Sequence, residues 1–298
     1  LLALEVGRGD EVITVPYTWI STAEVIALTG ATPVFVDIDS KTWNMDPSLV
    51  EDAITENTKA IMPVGIYGQT ADMDSINEIA FRYNLPVIED AAQSFGATYK
   101  GHKSCALSTI GSTSFFPSKP FGGFGDGGAL FTDDDELAEK FRWIRVHGQA
   151  RKHHHPVLGL NGRLDTLQAA MLLAVFEIFP EEVIQRQSIG AHYNEMLAEI
   201  GPQGIQIPHI TEGSTSVYSI YTILNQQRDI LQTRLKEAGI PSVAYYAVPL
   251  HLQPVFSYLG YNPSDFPVTE LVAEQCLSLP MSACLRVEDQ QAVVEAMQ

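Results

Sequence analysis

From residue 9 onward, short apolar runs alternate with longer stretches in which apolar residues recur every three or four positions. Residues 11–15, 32–37, 60–65 and 85–90 predict strands, and 20–29, 47–54 and 73–83 predict the helices between them. Each strand-and-helix step takes about 25 to 30 residues, the size of a βαβ unit, so this half predicts a mainly parallel α/β sheet. Two more short strands, 113–116 and 129–132, flank a glycine-rich connection, and 133–136 reads as the cap of a helix reaching about residue 146.

The pattern then changes. Residues 165–200 carry apolar positions at helical spacing and predict one or two long helices interrupted near Pro180, because proline removes a backbone donor. A strand at 217–224, a helix at 228–238 and a short strand at 243–246 follow. The expected organisation is a large domain over 1–180, then a connector helix and a smaller α+β domain over 181–298. No repeat, low-complexity tract or linker suggests a further domain.

Chemistry concentrates between 112 and 129, where a strand-like run ends in Lys119 and is followed by Gly122, Gly123, Gly125, Gly127 and Gly128. A lysine that reacts as an amine needs a lowered pKa and a fixed position, and the mouth of a parallel sheet supplies both. Set between two buried strands, it stands out from an ordinary solvated lysine. The glycines are expected to let the backbone turn sharply and approach a ligand. Gly123 to Gly128 also fits G-x-G-x-x-G, but that fingerprint requires a helix to open at its last glycine, and here a strand follows.

Glu89 and Asp90 place two carboxylates at the C-terminal end of an otherwise apolar strand, the edge where open α/β sheets bind ligands; the bland alternative is a helix cap. The 140–163 window holds Lys140, Arg142, Arg145, Arg151, Lys152, Arg163 and four histidines with no Asp or Glu. In a chain of 36 acidic and 18 basic residues, that reversal implies attraction for an anion, against the bland reading of a solvated basic face. His153, His154 and His155 are adjacent and cannot all point at one metal ion, so no metal is expected.

The formal charge of -18 argues against general nucleic-acid or membrane-surface binding. Three cysteines without metal or redox spacing suggest reduced thiols and a cytoplasmic setting. No apolar run approaches the roughly 20 residues of a membrane span.

Six segments occur in one order: Pro16-Tyr-Thr-Trp-Ile-Ser-Thr-Ala-Glu24, Glu89-Asp-Ala-Ala-Gln-Ser94, Ser114-Phe-Phe-Pro-Ser-Lys119, Gly125-Asp-Gly-Gly128, Asn161-Gly-Arg-Leu-Asp165 and Pro249-Leu-His-Leu-Gln-Pro254. On these, over nearly its whole length, the chain resembles the DegT/DnrJ/EryC1/StrS family of sugar aminotransferases. Those enzymes use pyridoxal 5'-phosphate (PLP) on the aspartate-aminotransferase-like fold, PLP fold type I. The Ser-Phe-Phe-Pro-Ser-Lys and His-Gly-Gln segments look most like enzymes that aminate a UDP-linked 3-keto-hexuronic acid for cell-surface polysaccharide such as lipopolysaccharide O-antigen.

The resemblance implies that Lys119 forms the Schiff base with PLP and carries the proton, while Asp90 pairs with the pyridine nitrogen. It implies Gln93 on the ring hydroxyl, Trp19 on the ring face, Ser114 on the phosphate, and Asn161 on the phosphate of a neighbouring subunit. Arg163 would meet a substrate carboxylate, with His251, Tyr246 and His154 at the sugar. The implied partners are a nucleotide sugar, an amino-acid donor such as glutamate, and a second copy in a homodimer with shared sites. A dTDP- or GDP-linked 4-keto-sugar aminotransferase and a non-catalytic regulatory member of the fold are the alternatives. A dehydratase of the family would carry histidine in place of Lys119. Relatives carry a Ser-Gly-Thr phosphate-binding turn before the helix that residues 1–6 resemble the tail of, so half of the phosphate cup, and weak PLP binding, are expected from these residues alone.

Overall fold

The computed structural model describes residues 1–201 and 204–298. Strand β1 (Glu11–Thr14) buries Val12, Ile13 and Thr14 completely, the signature of a parallel strand covered on both faces. After α1 (Ser21–Leu28), β2 (Thr32–Phe35) pairs with it in parallel, and β3 (Thr58–Ile61) pairs on its other side. Helix α2 (Met73–Arg82) starts at Asp72, whose side chain accepts the Ser75 N–H, and buries Met73, Ile76, Ile79 and Ala80 along one face.

Strand β4 (Ile88–Asp90) pairs in parallel with β7 (Ile110–Ser114), with the small antiparallel pair β5 (Thr98–Tyr99) and β6 (His102–Lys103) between them in sequence. Strand β8 (Gly128–Phe131) runs antiparallel to β7. Parallel bridges Ile61↔Val87 and Val64↔Asp90 join the two three-stranded groups into the order β2-β1-β3-β4-β7-β8. Helix α3 (Asp135–Ile144) is capped by Asp134, which accepts from the N–H groups of Glu136 and Leu137.

Some expectations change. The helix predicted at 47–54 is two 3-10 turns, Pro47–Leu49 and Glu51–Ala53, because Val50 is the one fully buried anchor between them. Residues Leu2–Leu4 form a single 3-10 turn. Helix α4 (Thr166–Ile200) is one element that runs through Pro180. The proline ring faces solvent, and buried Leu172 and Phe179 on one side and Tyr193 and Leu197 on the other hold the helix in place. The boundary expected at 180/181 thus falls inside a helix.

Beyond it, β9 (Tyr221–Leu224) pairs antiparallel with β10 (Cys276–Leu279), every residue of both strands being buried. Helices α5 (Arg228–Glu237), α6 (Pro267–Gln275) and α7 (Val287–Met297) complete this part. One core gathers Tyr193, Ile223, Leu235, Leu277 and Val294; another runs continuously from Ile13 and Ile61 to Leu224, Val272 and Cys276, so the C-terminal part docks on the main sheet through apolar packing. Asp37, buried beyond β2, strengthens that dock by accepting the N–H groups of Val268 and Thr269 at the start of α6, each at 2.9 Å.

The strand predicted at 243–246 is a single bridge, Val243↔Ser278. The chain leaves the sheet there because the Tyr245 carbonyl is taken by the hydroxyls of Tyr17 and Tyr67 instead of a ladder partner. No helix among the described residues is long and apolar enough to cross a membrane.

Candidate active site

Because the strands are parallel, the segments leaving their C-terminal ends lie along one edge of the sheet. Tyr17 and Trp19 follow β1, Tyr67 follows β3, Asp90 ends β4 with Gln93 just beyond it, and Ser114 ends β7 with Lys119 beyond it. Side chains alternate along β4, so Glu89 and Asp90 point to opposite faces.

Asp90 is oriented by two donors: the Thr22 hydroxyl reaches Oδ2 at 2.8 Å and the Ala92 N–H reaches Oδ1 at 3.2 Å. No regular helix follows Asp90, so its side chain does not serve as a helix cap. Glu89 turns inward. Its oxygens accept from the Ser104 hydroxyl at 2.7 Å and the Cys105 N–H at 2.8 Å, and burial holds its pKa above the ordinary carboxylate value against those donors.

Gln93 is buried, and its amide orientation is set by its neighbours. Oε1 accepts the Tyr67 N–H at 2.9 Å, so Nε2 faces the Tyr246 hydroxyl, to which it donates at 3.1 Å. The second Nε2 hydrogen and the Tyr246 hydroxyl proton have no acceptor among the described residues. Burial raises the Tyr246 pKa, Gln93 lowers it and the Asp90 charge raises it further, so this phenol stays protonated. The Trp19 indole, 54% exposed, lies 6.2 Å from the Tyr246 ring.

Lys119 stands in the turn after β7, where its N–H reaches the Phe116 carbonyl at 2.9 Å. The loop is anchored by Phe115 and Phe121, which pack in a cluster with Phe95 and Phe179. The half-buried Lys119 amine has no hydrogen bond or ion pair among the described residues. Desolvation lowers its pKa, and the Asp90 charge opposes that shift only in part.

The chain bends through this loop although none of its five glycines adopts a positive φ, and a Cβ on Gly128 would meet the Thr113 oxygen at 2.7 Å and one on Gly122 the Pro117 oxygen at 2.7 Å. One reading of the loop is corrected. Lys119 does not lie between two buried strands, because β8 is an edge strand with Leu130 and Phe131 exposed.

Ser114 ends β7, and its Oγ accepts the Phe116 N–H at 3.2 Å, which leaves the hydroxyl proton free to donate. Asn161 and Arg163 lie on the outer surface. An Asn161↔Val146 bridge and the Gly162 N–H to Arg145 carbonyl bond, 2.9 Å, bring Arg145 and Arg163 together. His154 is exposed in a turn with Arg151. Of the basic window, Lys140 pairs with Glu5 at 3.2 Å, and the five remaining cations have no ion pair among the described residues.

The His251 side chain is fully enclosed, with Nε2 on Glu270 at 3.1 Å, the ring edge-on to Phe266, and Nδ1 buried without a partner among the described residues. The structure thus brings Asp90, Gln93, Trp19, Tyr246, Ser114 and Lys119 to one sheet edge, and leaves Asn161, Arg163 and His154 on an exposed flank. Sequence reasoning missed Thr22, Tyr17 and Tyr67. Thr22 stands three positions after Trp19 on the first turn of α1, the one available signal for it.

This set fits PLP. An unpaired amine suits an aldehyde, an oriented carboxylate suits a pyridine nitrogen, and an open indole with two unspent donors suits the ring and its hydroxyl. The profile of the DegT/DnrJ/EryC1/StrS aminotransferase family matches residues 1–298. Over 280 residues the chain is 54% identical to the UDP-2-acetamido-2-deoxy-3-oxo-D-glucuronate aminotransferase of Pseudomonas aeruginosa, covering 94% of this chain and 76% of that protein. Over 295 residues it is 51% identical to a pleiotropic regulatory protein of Geobacillus stearothermophilus, covering 99% and 79% respectively. The crystal structure of NtdA from Bacillus subtilis with bound cofactor PMP matches with a TM-score of 0.91 at 34% identity, covering 100% of this chain and 69% of that one.

Proposed function

The chain belongs to the DegT/DnrJ/EryC1/StrS aminotransferase family, and from that premise we propose that it moves an amino group from an amino acid to the keto group of a UDP-linked 3-keto-hexuronic acid. It is a PLP-dependent aminotransferase acting on nucleotide sugars. Overall, the donor amino acid becomes a 2-oxo acid and the keto sugar becomes an amino sugar. The observation that carries this reading is an unpaired, partly desolvated lysine amine within the field of an oriented aspartate.

PLP, when bound, supplies an electron sink that makes a proton on the adjacent carbon removable. Lys119 Nζ, its pKa lowered by burial, takes the proton from the donor's α-carbon and later delivers one to the sugar carbon that receives the nitrogen. Asp90, held by Thr22 and Ala92, keeps a negative charge fixed where a protonated ring nitrogen would lie. Gln93 and Tyr246 offer their unspent N–H and O–H as donors at the ring's edge. Trp19, its indole open, would cover one ring face, and the Ser114 hydroxyl, its proton uncommitted, would donate to the phosphate.

Arg142, Arg145, Arg151, Lys152 and Arg163 form an unpaired cationic flank suited to a diphosphate and a uronic carboxylate. A second copy completes the site. In support, α4 and its surroundings expose the large apolar side chains Leu167, Leu173, Phe176, Ile184, Leu158 and Leu130, which a second copy would cover. With Asn161 and Arg163 beside that face, each copy would lend them to its partner's site. We place the activity in the cytoplasm, in the supply of amino sugars to surface polysaccharide such as lipopolysaccharide O-antigen.

The relative named as a regulatory protein supports a second reading, a binder without turnover. A binder has no need of an amine poised to move protons. The deciding experiment offers UDP-3-keto-hexuronic acid, dTDP-4-keto and GDP-4-keto sugars with glutamate and measures 2-oxoglutarate and amino sugar. Turnover of the first substrate is expected; turnover of a 4-keto sugar alone would move the assignment to that class, and none at all to a binder.

A further inference from the structure

Four contacts close a ring around the candidate site. The Tyr67 backbone N–H holds Gln93 Oε1 at 2.9 Å, Gln93 Nε2 holds the Tyr246 hydroxyl at 3.1 Å, Tyr246 follows Tyr245 in the chain, and the Tyr245 carbonyl returns to the Tyr67 hydroxyl. Tyr17 adds a second hold. Its hydroxyl reaches the same carbonyl at 2.8 Å and the Tyr67 hydroxyl at 2.6 Å. Both tyrosines are buried, Tyr17 completely, and burial first of all raises both of their pKa values, so both hydroxyls keep their protons.

Two protons serve three contacts. Cys276 beside Tyr17 and Thr222 beside Tyr67 are further partners for these hydroxyls, but either hydroxyl can donate to the carbonyl, and removal of one leaves the other able to do so. The segment they hold has left the β10 ladder after its single bridge at Val243, so nothing in the sheet fixes Tyr246. The Tyr246 ring meets Tyr17 edge-on at 6.2 Å and Trp19 at 6.2 Å, and the hydroxyl is aimed at Gln93.

We propose that Tyr17 and Tyr67 are positioning residues: together they pin the Tyr245 carbonyl so that Tyr246 keeps its hydroxyl on the Gln93 amide at the edge of the PLP site. This rests on the aminotransferase reading above. Two hydroxyls on one carbonyl make the device redundant, which distinguishes it from ordinary core packing.

The test is PLP titration of the full protein, followed by quenching of tryptophan emission, with the thermal midpoint recorded for each variant. Tyr17→Phe and Tyr67→Phe alone are expected to weaken PLP binding less than about threefold, and the pair together about tenfold. In a Tyr246→Phe background, the same pair should change affinity less than about twofold, because the group they position is gone. An equal loss with and without the Tyr246 hydroxyl would overturn the proposal, since a merely structural role lowers stability regardless of Tyr246. If the unaltered protein shows no saturable quenching even with PLP in the millimolar range, the aminotransferase reading fails first, a result distinct from additivity among variants that do bind. Should the double variant not fold, Tyr246→Phe alone decides: losing the positioned hydroxyl should weaken PLP binding about tenfold at an unchanged thermal midpoint, and an unchanged affinity overturns the proposal.

Discussion

The Thr22 hydroxyl donates to Asp90 Oδ2 at 2.8 Å across 68 positions of chain. It joins the first turn of α1 to the end of β4 and leaves the carboxylate one orientation. Asp90→Asn should keep the fold and some PLP binding while lowering kcat by about a hundredfold or more, the scale of a lost charge-dependent proton transfer. Thr22→Val should cost about tenfold, on the order of one hydrogen bond to a charged group. Steady-state kinetics check both; an unchanged kcat in Asp90→Asn removes that residue from the chemistry.

Lys119 links activity to stability with opposite signs. Its folded pKa lies below the unfolded value near 10.5, so between the two the unfolded chain binds more protons and stability rises with pH. The cost of burying the ammonium is fully present below the folded pKa and is relieved as pH climbs toward 10.5. Lys119→Met should therefore abolish turnover yet unfold at higher urea than the cofactor-free parent at pH 7, with that advantage shrinking by about pH 10. Urea midpoints at the two pH values read this directly, and an advantage that grows with pH contradicts it.

Asp37 ties the two parts of the molecule together without a cationic partner among the described residues. Asp37→Ala strips two N–H groups at the start of α6 of their acceptor and should cost about 2 kcal/mol. Chemical denaturation measures the loss. Asp37→Asn, which keeps one acceptor, should recover part of it.

If Arg163 serves the partner's site, mixed dimers of Lys119→Ala and Arg163→Ala chains contain one site with both residues intact. Each variant alone should be nearly inactive, and mixing after mild dissociation should restore measurable turnover. No recovery in verified mixed dimers argues for sites built within one chain.

Much of this was legible in the residues. Apolar runs such as Val12-Ile13 marked strands because both of their faces are covered, and the acidic run at 133–136 marked a helix start, where Asp134 is the cap. Lys119 and Asp90 stood out by residue type after and at strand ends, whereas Gln93 was singled out only through the family resemblance. The rest depended on long-range packing. Pro180 interrupts a helix by local rules, yet its exposed ring is tolerated because Leu172, Phe179 and Tyr193 hold the backbone on either side. Residues 243–246 have strand propensity, but two distant hydroxyls outbid the ladder for Tyr245. His251 sits in a motif that suggests a ligand contact, and only packing places its ring in an enclosed position, with Nε2 on Glu270 and Nδ1 buried without a partner among the described residues.

Helix α4 contains 35 residues, which at 1.5 Å each make a rod of about 50 Å. Near its start, Gln168 Oε1 accepts the Phe124 N–H at 2.9 Å in the loop that follows Lys119; farther along, Gln290 of α7 donates to its Ile189 carbonyl at 2.9 Å. Being unbroken, the rod acts as a lever. A tilt of about one degree displaces its far end by about 0.9 Å over that length. The lysine loop and the C-terminal part are therefore geared to each other, and a strain applied at either end is felt at the other as a shift in position.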